Sequence, residues 1–163
     1  MEQIAIVNDR KIFYHNLRQS AIEMIDMEPY SWAAVFITAE NDPYFKNGMS
    51  VCKRMKTPYI VCAGKSCDEA SELFEIESFM IFEPNKELFE KAPLVYNKRG
   101  VADAFNNAIF FSVSEDSECK SVVCFDTTER GVKKYLIGLA NEWIENQTFL
   151  TPEADEEEVE WDS

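Results

Sequence analysis

The chain has 163 residues, 46% apolar and 28% charged, the make-up of one folded domain with its own core and not of a disordered chain. Its formal charge of −14 tells against direct binding of DNA or RNA, which rests on Lys and Arg contacts to phosphate. No apolar run approaches the roughly 20 residues that span a bilayer, and Glu2 stands where an export signal would be basic, so no membrane contact and a cytoplasmic location are expected.

Ile4 to Val7 reads as a short buried strand running into the polar Asn8 and Asp9. Phe13, Leu17, Ile22 and Ile25 fall near helical spacing and predict a helix over 12–27, stopped by Pro29. Trp32 to Thr38 is a second strand. Asp42-Pro43 then suits the start of a helix with Met49, Cys52 and Met55 as its inner stripe. Tyr59 to Ala63 is a third strand closed by Gly64, and Ser66 is a capping candidate for the helix that follows. Phe79 to Phe82 predicts a fourth strand, ended by Glu83-Pro84, with a short acidic helix after it. Leu94 to Tyr96 fits an edge strand, 101–113 a helix and Ser121 to Phe125 a last strand. The final helix, about 132–144, carries Tyr135, Leu136, Leu139, Ala140 and Trp143 at core spacing.

Apolar strands alternating with amphipathic helices point to an α/β fold: a Rossmann-like three-layer sandwich around a mostly parallel sheet of five or six strands. Residues 1–150 form the expected domain. From 151 to 163 the composition turns acidic and too poor in apolar residues to fold by itself, so a disordered tail is expected. The five cysteines are odd in number and lie in or beside apolar runs, as reduced cytosolic thiols would. Cys62-x4-Cys67 and Cys119-x4-Cys124 lack the loop context of zinc knuckles.

In open parallel sheets the working loops lie beyond the carboxyl ends of the strands. Those loops are polar here: Asn8 and Asp9; Glu40, Asn41 and Asp42; Lys65, Ser66 and Asp68; Glu83; Asn97, Lys98 and Arg99; and the run Asp126 to Arg130. Carboxylates on one rim suit Mg²⁺ or Mn²⁺, and Asp and Asn also serve turns by satisfying local backbone donors. Gly64-Lys65-Ser66 lacks the earlier glycine of a phosphate loop. There is no G-x-S-x-G elbow, the lone His15 is expected in a helix-like segment beside Tyr14 with surface packing as its ordinary role, and no base is paired with Cys67 in sequence, so no catalytic residue is assigned.

The stretch NKRGVADAFNNAIFFS, followed by SVVCFD, resembles the nucleotide-binding helix and metal-bearing strand of family-2, GT-A type glycosyltransferases. IAIVNDR and VFITAEND are similar to the first two strands of that family. The resemblance covers about half the chain and implies a nucleotide site at Asp9, Glu40, Asp42, Asn97, Gly100 and Asn106. It also implies a Mn²⁺ or Mg²⁺ site at Asp126 for a nucleotide sugar. Thr128 stands where the family's second metal aspartate would be.

Two functions follow. One is a non-catalytic acidic binding or regulatory protein, without cofactor, that engages a basic protein surface and inhibits its owner by occupying a nucleic-acid site. The acidic tail, with Glu156, Glu157, Glu158, Glu160 and Trp161, would dock there, and the same charge also serves plain solubility. The alternative is a small or degenerate metal-dependent nucleotide-sugar glycosyltransferase. Generous aromatic content leaves a homo-oligomer open. A receiver-like or flavodoxin-like reading rests on the alternation alone.

Overall fold

The computed structural model describes residues 1–19, 27–38, 43–64, 66–82, 93–114 and 117–146, the side chains of 76–82 and 146 aside. Asn8 and Asp9 take positive φ, 53° and 60°, and form the two-residue turn that folds β1 (Glu2–Val7) back on β2 (Arg10–Asn16). Residues 10–16 are therefore strand, where apolar spacing predicts the opening of a helix over 12–27; residues 20–26 of that span lie outside the described ones. Burial on both sides is the reason. Ile12 and Tyr14 face one core and Phe13 packs against the other, so apolar residues fall on both faces of β2 and blur the alternation by which a strand is told from a helix; His15, expected at the surface, is buried in that strand.

β3 (Trp32–Ile37), α1 (Phe45–Arg54), β4 (Tyr59–Ala63), α2 (Cys67–Phe82) and β5 (Leu94–Lys98) then alternate. Next come α3 (Val101–Phe111), a hairpin of β6 (Val113–Ser114) and β7 (Ser117–Glu118), β8 (Ser121–Asp126) and α4 (Lys133–Asn146). Phe79–Phe82, expected as a strand, is instead the last turn of the 16-residue α2. No Gly or Pro interrupts the chain between Ser66 and Pro84, and a four-residue apolar run does not by itself distinguish strand from helix.

One six-stranded sheet of order β1-β2-β8-β3-β4-β5 carries the fold, parallel throughout except for β1. Helices cover both faces, which gives the three layers expected from the alternation. Ala33, Val35, Ile37, Val61 and Val122 turn to α3 and α4, whereas Trp32, Ala34, Phe36, Ile60 and Phe125 turn to α1 and α2. On the second face Phe36 lies 5.0 Å from both Phe74 and Phe125, centroid to centroid, and 5.1 Å from Phe45. Burying each such ring contributes about 2–3 kcal/mol.

At the amino ends of the parallel strands Arg10, 2% exposed, holds the end of α3. Its Nη1 donates to the Ala108 carbonyl at 2.8 Å and to Ser112 Oγ at 2.6 Å. Ser112 leaves the helix in extended conformation, without the left-handed turn that would satisfy the last carbonyls, so a side-chain donor takes that place. A guanidinium also suits the negative end of the helix dipole.

Candidate functional site

Because β2, β3, β4, β5 and β8 run the same way, Asn16, Ile37, Ala63, Lys98 and Asp126 end on one rim. β3 passes to α1 on one face and β8 passes to α4 on the other, so the crevice between β3 and β8 is the sheet's switch point. Asp126 lies there in register with Asn16 on one side and Ile37 on the other.

The Asp126 carboxylate is fully buried, and its bonds come from its own chain. Oδ1 accepts the Thr128 amide at 2.9 Å and the Thr128 hydroxyl at 2.6 Å. Oδ2 accepts the Val132 amide at 2.7 Å and the Tyr14 hydroxyl. These four donors fill the acceptor sites a carboxylate offers, and the Val132 bond ties it to the residue before α4. Burial, then the Asp126 charge and hydrogen bond, push the Tyr14 phenol up, so Tyr14 remains a donor. A metal ion at Asp126 would have to displace these donors. Among the described residues no group of three His, Cys, Asp or Glu side chains is placed to hold one. The described side chains do not fit the implied Mn²⁺ or Mg²⁺.

Arg18 lies across the same crevice. Its amide donates to Asn16 Oδ1 at 2.9 Å, its Nε to the Thr127 carbonyl, and its guanidinium sits 5.0 Å from the centre of the Tyr44 ring. Glu129 approaches Nη1 at 3.7 Å. Thr127 anchors the other wall, donating its amide and hydroxyl to the Ile37 carbonyl at 3.0 and 3.2 Å. At β4, Gly64 takes φ +96°, and a Cβ there would meet the Thr38 carbonyl oxygen at 2.8 Å.

Of the described residues expected around a nucleotide, Asn97 and Gly100 lie near the rim and Asp9 and Asn106 do not. Asp9 belongs to the β1–β2 turn, at the end of the sheet opposite the rim, because β1 is followed by a hairpin and not by a crossover helix. Asn97 is exposed at the end of β5 and donates to Asp68 Oδ1. Gly100 is the N-cap of α3, and Asn106 is buried six residues further along that helix, about 9 Å below the rim. Glu40, Asp42, Lys65, Glu83 and the tail residues Glu156, Glu157, Glu158, Glu160 and Trp161 lie outside the described residues.

α2 also carries an acidic flank, of which the loop residues at the strand ends include Asp68 alone. Cys67, Ala70, Ser71 and Phe74 turn inward, while Asp68, Glu69, Glu72 and Glu75 are exposed. At about 100° per residue, Asp68, Glu72 and Glu75 share one flank, and the bond to Asn97 shows that this flank faces β5. Among the described residues no ion pair reaches Glu69, Glu72 or Glu75. The spacing i, i+4, i+7 is the signal that was available in the sequence.

Comparison with protein-family models, with curated proteins and with solved structures finds no match.

Proposed function

We propose that this chain is a non-catalytic acidic binding protein that engages a basic surface on a partner protein. The observation that supports it is the row Asp68, Glu72, Glu75 on a helix, Cys67–Phe82, that contains no Lys or Arg. Like charges at this spacing each cost a few tenths of a kcal/mol, and α2 carries no counter-charge of its own. Lysines or arginines of a partner would remove that cost and bring the chain on by electrostatic steering.

Residues 151–163 hold seven acids and no base, and would extend the attraction beyond the folded part. Where the basic surface is a nucleic-acid channel, occupancy inhibits its owner. A reducing, cytoplasmic setting is supported by five free cysteines, all buried. No described helix is long and apolar enough to cross a membrane.

Support for this reading over the metal-dependent, glycosyltransferase-like one comes from Asp126, whose acceptor sites are filled by Tyr14, Thr128 and Val132. The test is binding of a labelled oligolysine peptide to the full chain at low and at physiological salt. The expected result is affinity that falls with salt and falls at least about fivefold in the triple variant Asp68→Asn, Glu72→Gln, Glu75→Gln. Equal binding by that variant would remove the reading. Thermal stabilisation that requires both Mn²⁺ and a uridine diphosphate sugar would favour the alternative.

A further inference from the structure

We propose that β5 is the docking edge for that partner, which adds an extended basic segment to the sheet as a new strand; this rests on the acidic-partner reading. Among the described residues β5 pairs only with β4. The Leu94 amide donates to the Pro58 carbonyl at 3.0 Å, so strand alternation leaves the N–H and C=O of Val95 and Asn97 directed away from β4. The register with β4 is regular from Leu94 to Lys98. The other edge differs, for β1 carries an irregularity between Gln3 and Ala5, a common guard against edge pairing.

Side chains along β5 offer purchase. Leu94 is 48% exposed and Tyr96 41%, with the Tyr96 ring 5.1 Å from Tyr59. Both lie on the α3 face of the strand. On the α2 face the acidic flank runs beside the edge. From Asp68 to Glu75 the helix rises about 10 Å, and from Asn97 back to Leu94 the strand covers about the same length. An incoming strand would set alternate side chains against these two faces. Basic residues would meet Asp68, Glu72 and Glu75, and apolar ones would cover Leu94 and Tyr96. The partner segment is therefore one that alternates basic and apolar residues.

Charge separates this occupant from the others the edge might take. The chain's own tail is acidic and would be repelled by the α2 flank. A second copy pairing β5 with β5 about a two-fold axis keeps both α2 helices on one face, so two rows of carboxylates would meet across the seam. A basic strand reverses that sign.

A peptide alternating Lys with Val, and the same peptide with Pro in place of each Val, separate strand addition from attraction alone, because the second keeps the charge and loses alternate N–H donors. The full chain is expected to bind the Val peptide at least about tenfold more tightly, with hydrogen exchange slowed at the Val95 and Asn97 amides. Tyr96→Lys, with its fold checked by circular dichroism, is expected to abolish that preference. Equal affinity for the two peptides with no protection overturns strand addition while leaving the acidic-partner reading in place. Binding of neither peptide overturns both. Dimerisation in sedimentation that Tyr96→Lys reverses would make a second copy the occupant and overturn the proposal.

Discussion

The Tyr14 hydroxyl on β2 donates to the Asp126 carboxylate on β8, and the same carboxylate oxygen takes the Val132 amide that leads into α4. One side chain thus joins two strands and a helix at the switch point. A buried carboxylate whose bonds are all internal is a structural hub, and its replacement should be read first as a change in stability.

Asp126→Asn sets an amide donor against donors from Thr128, Val132 or Tyr14. A loss of roughly 3 kcal/mol is expected, from the charged hydrogen bonds removed and the amide left facing another donor. Urea unfolding measures it. A loss below about 1 kcal/mol would mean the four bonds contribute little.

Two helix glycines should respond in opposite directions. A Cβ at Gly48 would stand 2.3 Å from Phe36 Cε1, and Phe36 is held among Phe45, Phe74 and Phe125. Gly48→Ala is therefore expected to cost about 1–3 kcal/mol despite the better helix propensity of alanine. A Cβ at Gly138 in α4 would meet nothing within 4 Å, and Gly138→Ala should stabilise by about 0.5–1 kcal/mol. Thermal unfolding of both variants checks the contrast, and a shift in the same direction for the two would contradict it.

Alkaline pH should unfold the chain early. Burial, followed by the charge of Tyr96, raises Tyr59 from 10.0 to about 12, and Tyr14 is raised in the same direction. A raised folded value means the folded state keeps its proton where the unfolded state has lost it. The contribution of each phenol is thus whole below pH 10.0 and is lost as pH climbs toward the folded value. The buried thiols of Cys62 and Cys124, raised from 9.0, act with the same sign. Urea midpoints should fall steadily above pH 9, and a flat profile to pH 12 would contradict the assignment.

Thiol labelling offers a second reading of the same burial. Cys62 and Cys124 are 0% exposed, and Cys52, Cys67 and Cys119 are at most 3%. Burial pushes all five thiols up, so little thiolate is present at neutral pH. A disulfide reagent should modify less than about one thiol per native chain over minutes and all five in denaturant. Rapid modification of the native chain would show an opening not present in this structure.

Much of this architecture was legible in the sequence because breakers frame it. Tyr59–Ala63 ends at Gly64, and Val122–Phe125 is an unbroken apolar run closed by Asp126. β2 was not legible, since an Asn-Asp pair with positive φ serves as a turn only when the next segment pairs back. Asp126 could be seen as a strand-ending carboxylate, but its partner Tyr14 is 112 residues away and no local pattern announces that bond. The acids of α2 were plain in sequence as well. Their meaning depends on which flank meets an open edge, which topology alone decides.

The seat of β8 between β2 and β3 sets the order in which the chain can complete itself. Lys11 and Trp32 both lie opposite Ser121, so the strand that joins the first hairpin to the rest of the sheet is made among the last. During synthesis β2 and β3 must wait with facing edges unpaired while some ninety or more residues emerge between Trp32 and the end of β8. Such long-range closure is slow, and a chain cut short before Ser121 would leave two separate halves with hydrogen-bonding edges exposed to aggregation.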